Sequence, residues 1–313
     1  MVQYLSKRIG RSLITLVIIL TLVFILLRQM PIEGYFDNFD KLTDAQIQVG
    51  LKEMGLTDPM PVQLLHFFQN LLQGDLGVSR RYRTNVPVTD ILKTKIPISV
   101  ELGSLSILVS LLFGLPLGIL MANHKGKWPD RIGTAFIVFV QAVPAVVYFL
   151  FIQLYGTTLL GVPLLFKESD PLCWILPVFS MALGNTAYYA MWLRRYMVDE
   201  STKDYVKLAM AKGVPRSRIM SRHIFRNAMV PLVQYLPTSF LNTVIGSIYI
   251  ESIYSIPGMG GLLVEVIKKN DNNMVQAIVL LYATVGVIGL LLGDILMTVF
   301  DPRISLARKG GMR

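Results

Sequence analysis

The chain of 313 residues is 53% hydrophobic and only 16% charged, with a formal net charge of +10. Apolar residues gathered in long blocks exclude a soluble domain built on one core and point to an all-α membrane protein. The basic excess follows loop orientation, as shown below, so it gives no sign of nucleic-acid binding.

A helix needs about 20 mostly apolar residues to cross a bilayer. Six segments qualify, near 9–30, 97–122, 132–155, 174–198, 227–250 and 275–300. The first has an apolar run from Leu13 to Leu27 that ends in Arg28-Gln29-Met30-Pro31 without a small-residue cleavage site. It reads as an uncleaved anchor rather than a signal peptide. Residues 31–96 then form a small helical segment outside the membrane, and 97–313 a five-helix core. In the external segment, Thr43-Asp44 before Ala45 to Met54 and Gly55 predicts one short helix, and Pro61 to Gln73 with Gly74 a second. Leu64, Leu65, Phe68, Leu71 and Leu72 of the second make an apolar stripe that either packs on the spans or meets substrate. Glu101 is placed near the outer surface, and Cys173 has no partner for an internal disulfide.

Ser201 to Val230 reads as two short basic helices joined at a glycine. Ser201 is expected to cap the first, Gly213 to end it in the left-handed conformation, and Pro215 to open the second. In the fifth span, Gln234, Tyr235, Thr238, Ser239 and Asn242 fall on one helical face at 100° per residue, with Pro237 as a kink. Such an arc either lines a wet path or holds helices together by hydrogen bonds, and both readings stay open. Ser255-Ile256-Pro257-Gly258-Met259-Gly260-Gly261 turns the chain back before a short surface helix, Leu262 to Lys269, as a corner or as an outer gate. Asp294, two turns from the end of the last span, must face protein or water and reads as an ion pair, a cap or a functional acid.

Nineteen of the 30 lysines and arginines, but five of the 20 acids, fall in the N-terminus, the 123–131 loop, the 194–226 loop and the tail. Cytoplasmic loops retain basic residues, so both termini are expected inside. Residual attraction to anionic membrane lipid accounts for the remaining basic surface. The three histidines, His66, His124 and His223, have no metal-ligand spacing, and no phosphate-binding G-x-x-x-x-G-K-[ST] loop occurs. The chain itself is expected to hold neither metal nor ATP.

Asp204-Tyr205-Val206, Ala209-Met210-Ala211-Lys212-Gly213 and Arg222-His223-Ile224-Phe225-Arg226-Asn227 resemble the cytoplasmic coupling loop of ATP-binding-cassette (ABC) importer permeases. Leu72-Gln73-Gly74-Asp75-Leu76-Gly77-Val78-Ser79, Pro87-Val88, Glu251-Ser252, Ile256-Pro257-Gly258-Met259-Gly260, Asp294 and Asp301-Pro302-Arg303-Ile304 extend the resemblance to the B-type permease of the oligopeptide, dipeptide and nickel uptake family. Two departures are visible. Lys207-Leu208-Ala209 replaces the Glu-Ala-Ala usual in such loops, and Pro31-Ile32-Glu33-Gly34 replaces a proline-glycine-aspartate-proline after the first span.

The resemblance implies a non-catalytic subunit in a prokaryotic cytoplasmic membrane, working with a second, similar permease and an extracytoplasmic solute-binding protein. Two cytoplasmic ATPase subunits would carry the ATP and Mg and dock on the loop at 199–226, with Asp204, Lys207, Ala209, Gly213, Arg216, Arg218 and Arg222 as contact or hinge residues. Gly213 and Ala209 are expected to matter by their small size. The alternatives are an ion-gradient-driven secondary transporter, which needs a deep ionisable residue or inverted repeats, and a membrane sensor or scaffold without transport.

Overall fold

The computed structural model describes residues 2–36 and 38–300, so the tail motif from Asp301 onward lies outside the described residues. The chain is mostly helical, and the described residues contain no strand, only an isolated antiparallel bridge between Val78 and Pro87. The long helices are α1 (Val2–Leu27), α4 (Val88–Asn123), α7 (Ile175–Ser201), α10 (Phe225–Ile245) and α13 (Asn272–Phe300). Shorter ones are α2 (Asp44–Glu53), α3 (Met60–Leu72), α5 (Trp128–Ala142), α6 (Ala145–Leu160), α8 (Asp204–Ala211), α9 (Arg216–Arg218), α11 (Ile248–Ile253) and α12 (Met259–Lys268).

By length and composition, Ser6–Leu27, Val88–Asn123 and Asn272–Met297 are apolar enough to cross a membrane. The α5–α6 pair qualifies jointly but bends by 104°. The straight helix expected over 132–155 is therefore broken. Pro144 lacks an N–H and pushes Val143 into an extended conformation (ψ 129°), which ends α5. The helix expected over 227–250 is also interrupted, at Gly246 (φ +75°), where an added Cβ would lie 2.4 Å from Glu251 Oε1 and 2.7 Å from the Gly260 nitrogen. Conversely, α4 starts well before residue 97, because Pro87 opens it and Pro97 is absorbed inside it.

Two close helix pairs organise the bundle. On α4, Ser106, Ser110, Gly114 and Gly118 recur every four residues and are all buried. A Cβ on Gly114 or Gly118 would stand 2.9 Å from the carbonyl oxygen of Thr186 or Ala190 on α7, and Ser110 Oγ donates to the Ala182 carbonyl at 3.1 Å. On α13, Gly289 and Gly293 face Thr238 and Gln234 of α10 in the same way. Small residues let backbones approach where lipid supplies no hydrophobic drive between helices. At the other edge, α1 packs along α13, and Arg8 is ion-paired with Asp294, which also accepts from Gln234 Nε2 at 3.3 Å. Asp294 is thus engaged structurally.

The external segment folds as two helices. A Thr43–Gln46 capping box opens α2, and Gly55 and Gly74, at positive φ, follow α2 and α3. The apolar stripe of α3 is only partly covered. Phe67 stacks on Phe24 of α1 at 4.7 Å, whereas Leu65 and Leu72 remain exposed and Gln63 is the buried residue.

Two further carboxylates fix the connections. Asp271 is fully buried and pairs with no cation among the described residues: its Oδ2 accepts from Ser79 Oγ at 2.7 Å and from the N–H groups of Arg80, Arg81 and Tyr82 at 2.9–3.0 Å. Its neighbours Asn272 and Asn273 donate to the carbonyls of Pro31 and Val78, so one tripeptide at the start of α13 ties the external segment down. Asp130, at the start of α5, forms a two-point ion pair with Arg194 of α7 at 2.5 and 2.7 Å. The hydrogen bond from that guanidinium, above all, holds the Asp130 carboxyl below the usual carboxylate range.

Replacing Gly118 by leucine should lower the stability of the purified protein by about 1–3 kcal/mol, or abolish assembly, because the side chain meets the α7 backbone rather than a movable side-chain tip. Gly286, which has no atom within 4 Å of an added Cβ, is the control and should accept alanine with an unchanged melting temperature.

Candidate functional site

The surface segment after α7 is built differently at its two ends from what the sequence suggested. Ser201 does not cap α8. It is the last residue of α7 and donates to the Val198 carbonyl, while Lys203 occupies the N-cap in extended conformation without a side-chain bond. Asp204 then stands in the first turn, where a carboxylate suits the helix dipole, and pairs with Lys207 at 2.9 Å.

The C-terminal end of α8 is a Schellman motif. The Gly213 N–H donates to the Met210 carbonyl at 2.9 Å, and the Val214 N–H to the Ala209 carbonyl at 3.1 Å. Gly213 is required for its φ of +72° and not for its size, since nothing lies within 4 Å of an added Cβ. Ala209 is different: it is half-buried and packs toward the cluster of Leu193, Met197, Val206, Ile219 and Ile224.

Pro215 opens the next helix as expected, but that helix is not separate from the following span. The chain runs from α9 through a π-helical turn, Ile219–Ile224, directly into α10. Ile219 and Ile224 are both 1% exposed and anchor that turn in the same cluster. Tyr205 bridges the two arms, donating to Glu200 at 2.6 Å and accepting from Asn227 at 3.0 Å, and burial followed by the Glu200 bond pushes its hydroxyl pKa up.

The outward surface carries Asp204, Lys207, Lys212, Arg216, Arg218 and Arg222, all exposed. Among them stand Leu208 and Met210, 57% and 55% exposed. Sequence reading assigned these two no role; the signal for Leu208 was an apolar residue on the face opposite buried Val206 of an eight-residue helix, whereas Met210, one turn after Val206, carried none. Chemically, the segment offers exposed apolar side chains, Leu208 foremost, among cations.

The polar arc of α10 divides among three surroundings. Gln234 and Thr238 lie against the glycines of α13. Tyr235 packs on Tyr188 with ring centroids 4.6 Å apart, and Ser239, 7% exposed, accepts from Tyr189 Oη at 3.1 Å. Asn242 is exposed. Tyr188, Tyr189, Trp192 and Tyr196 of α7 extend the aromatic wall beside Tyr235. The surface-corner residues converge instead on Glu251, which is 1% exposed and accepts from Ser99 Oγ and the N–H groups of Ser247, Gly260 and Gly261 at 2.7–3.2 Å. Met259, whose N–H donates to Ser99 Oγ, closes the corner.

Residues 114–306 match the family described as the inner membrane component of binding-protein-dependent transport systems, and residues 1–103 match its N-terminal membrane-component family. The chain is 31% identical to a dipeptide transport permease, DppB of Bacillus subtilis, over 99% of its own length and 100% of that protein. It is 32% identical to a glutathione transport permease, GsiC of Pectobacterium atrosepticum, over 97% and 99%. With an oligopeptide transport permease, AmiC of Streptococcus pneumoniae, identity is 34% over 67% of this chain and 42% of that longer protein.

Two solved ABC transporters share the fold at low identity. One, an amino acid transporter with histidines, has a TM-score of 0.51 at 16% identity, covering 69% of this chain and 94% of that one. The inward-facing MetNI methionine transporter has a TM-score of 0.53 at 13% identity, covering 67% and 96%. With both halves of the chain matched and the alignment to DppB running end to end, the protein belongs to the family of binding-protein-dependent transport system inner membrane components, the permease subunits of ABC importers.

Proposed function

We propose that the chain is the B-type permease of an ATP-driven peptide importer in a prokaryotic cytoplasmic membrane. It crosses six times, through α1, α4, the bent α5–α6 pair, α7, α10 and α13, with both termini inside. Its partners are a second homologous permease, two ATPase subunits that bind ATP and Mg, and an extracytoplasmic solute-binding protein. The peptide assignment follows the dipeptide, glutathione and oligopeptide permeases to which the chain is similar.

The observation that carries the coupling role is the exposed Leu208 among exposed basic residues, held on a Schellman-closed helix at the junction of α7 and α10. An apolar centre with a charged border has the composition of a protein-docking spot. ATP-driven closure of the ATPases would displace this segment and, through α10, switch the permease between two access states. Asn242, Tyr235 and Ser239 with the α7 aromatics form the path side of α10, while Gln234 and Thr238 serve the α13 contact.

Three measurements test this reading. In a Cys173→Ser background, cysteines at Gln73 and Ser217, both exposed, should label with an impermeant thiol reagent from opposite sides of the membrane. Same-side labelling ends the six-crossing orientation. Leu208→Glu should reduce co-purification of the ATPases at least tenfold, and Gly213→Val, which places a β-branched residue at φ +72°, should lose substrate-stimulated ATP hydrolysis. Wild-type coupling in both variants refutes the docking role. Finally, Asn242→Cys should react with a small hydrophilic thiol reagent at a rate that changes when ATP is trapped, whereas Val233→Cys, at a buried position, should stay silent in every state. Equal silence at both sites would assign Asn242 to packing.

A further inference from the structure

A cavity of about 270 Å³ lies between the end of α1, the inner side of α3 and the first turns of α13. Its wall includes Arg28, Arg80, Gln63, His66, Asn273 and Gln276. The volume is close to the lower end of small-molecule sites, about 300–1,000 Å³, and far beyond that of a single water.

Among the described residues, the charge of this cavity is unbalanced. Arg28 lies over the Phe24 ring at 4.7 Å and donates to Tyr35 Oη at 3.2 Å, which orients its guanidinium without neutralising it. Arg80 gives its backbone N–H to Asp271, but its side chain has no acceptor among the described residues. Neither arginine forms an ion pair with a described carboxylate, and the Nε of each is buried without a partner. Asp75, also on the wall, spends Oδ1 on the Gly77 N–H at 2.8 Å and is exposed to solvent. Gln63, 8% exposed, gives its amide N–H groups to the carbonyls of Leu56 and Asp58, leaving Oε1 without a donor.

Two half-buried guanidinium groups in one cavity repel each other and have lost part of their hydration, while each presents forked donors suited to a planar or tetrahedral oxyanion. A ligand that also bears an O–H or N–H would satisfy Gln63. We propose that the cavity binds an oxyanion head group, a phosphate or carboxylate, held between Arg28 and Arg80. The source is either a phospholipid at the membrane boundary or a soluble anion. The site stands apart from the ATPase segment and the α10 path, so its test does not depend on transport.

The test uses the purified, delipidated permease complex titrated with sodium phosphate, sodium acetate or dihexanoyl-phosphatidylglycerol, with uncharged dihexanoylglycerol as control. Ligand-dependent melting and native mass are read. At least one oxyanion should bind one equivalent per permease and raise the melting temperature, and the uncharged control should not. A response to the phospholipid alone identifies a lipid site, and a response to phosphate or acetate a soluble-anion site. Arg80→Gln, which removes no hydrogen bond or ion pair within the described residues, should keep the ligand-free melting temperature and weaken binding at least tenfold. Arg28→Lys, which keeps the charge but loses the fork, should weaken binding less. The proposal is overturned if no oxyanion binds the wild type, or if Arg80→Gln binds as tightly as the wild type.

Discussion

A carboxylate buried away from water persists only where N–H and O–H donors converge on it, and the two ends of this permease's last helix-turn unit are organised around that requirement. Glu251 gathers Ser99, Ser247, Gly260 and Gly261; Asp271 gathers Ser79 and three successive backbone N–H groups. Between them lies α12. Neither acid pairs with a cation among the described residues, so each is held by backbone geometry. That explains the glycines nearby: a Cβ on Gly258 would come within 2.6 Å of the Glu251 carboxyl carbon, and one on Gly260 within 2.6 Å of the Ile248 nitrogen.

The same accounting explains why α7 and α10 can be polar. They lie inside the bundle, against α4 and α13, so their tyrosines, Ser239 and Gln234 find partners in protein rather than lipid. The helices that meet the apolar test, α1, α4 and α13, include outer faces rich in exposed Leu, Ile and Val. Close approach through Gly114, Gly118, Gly289 and Gly293 then lets backbone meet backbone, where bulkier residues would hold the polar partners apart.

Helix positions were largely legible in the sequence because apolar length and proline–glycine punctuation are local signals. The capping box at Thr43, the left-handed Gly213 and the opening Pro215 are read from a few adjacent residues. What was not legible depends on residues distant in the chain. The span read over 132–155 runs straight through Pro144, yet the chain turns there by 104°. Ser79 and Asp271 are 192 positions apart, and the arc of α10 is one face on a helical wheel but meets α7 and α13 separately. Gly213 was attributed partly to size, and only the open space around it separates that idea from the demand of its backbone angle.

The continuity of α9, the π turn and α10 gives the docking segment two arms of different build. On one side α8 joins α7 through Thr202 and Lys203, a break in the helix bridged by Tyr205. On the other, Arg216 to Ile245 is one unbroken helical rod, pinned near its start by Ile219 and Ile224. A force applied near Arg216 therefore acts on a lever whose fulcrum is that buried isoleucine pair. Its far end is Gly246, beside the Glu251 knot, so the rod runs from the docking surface to the corner without a slack joint between them.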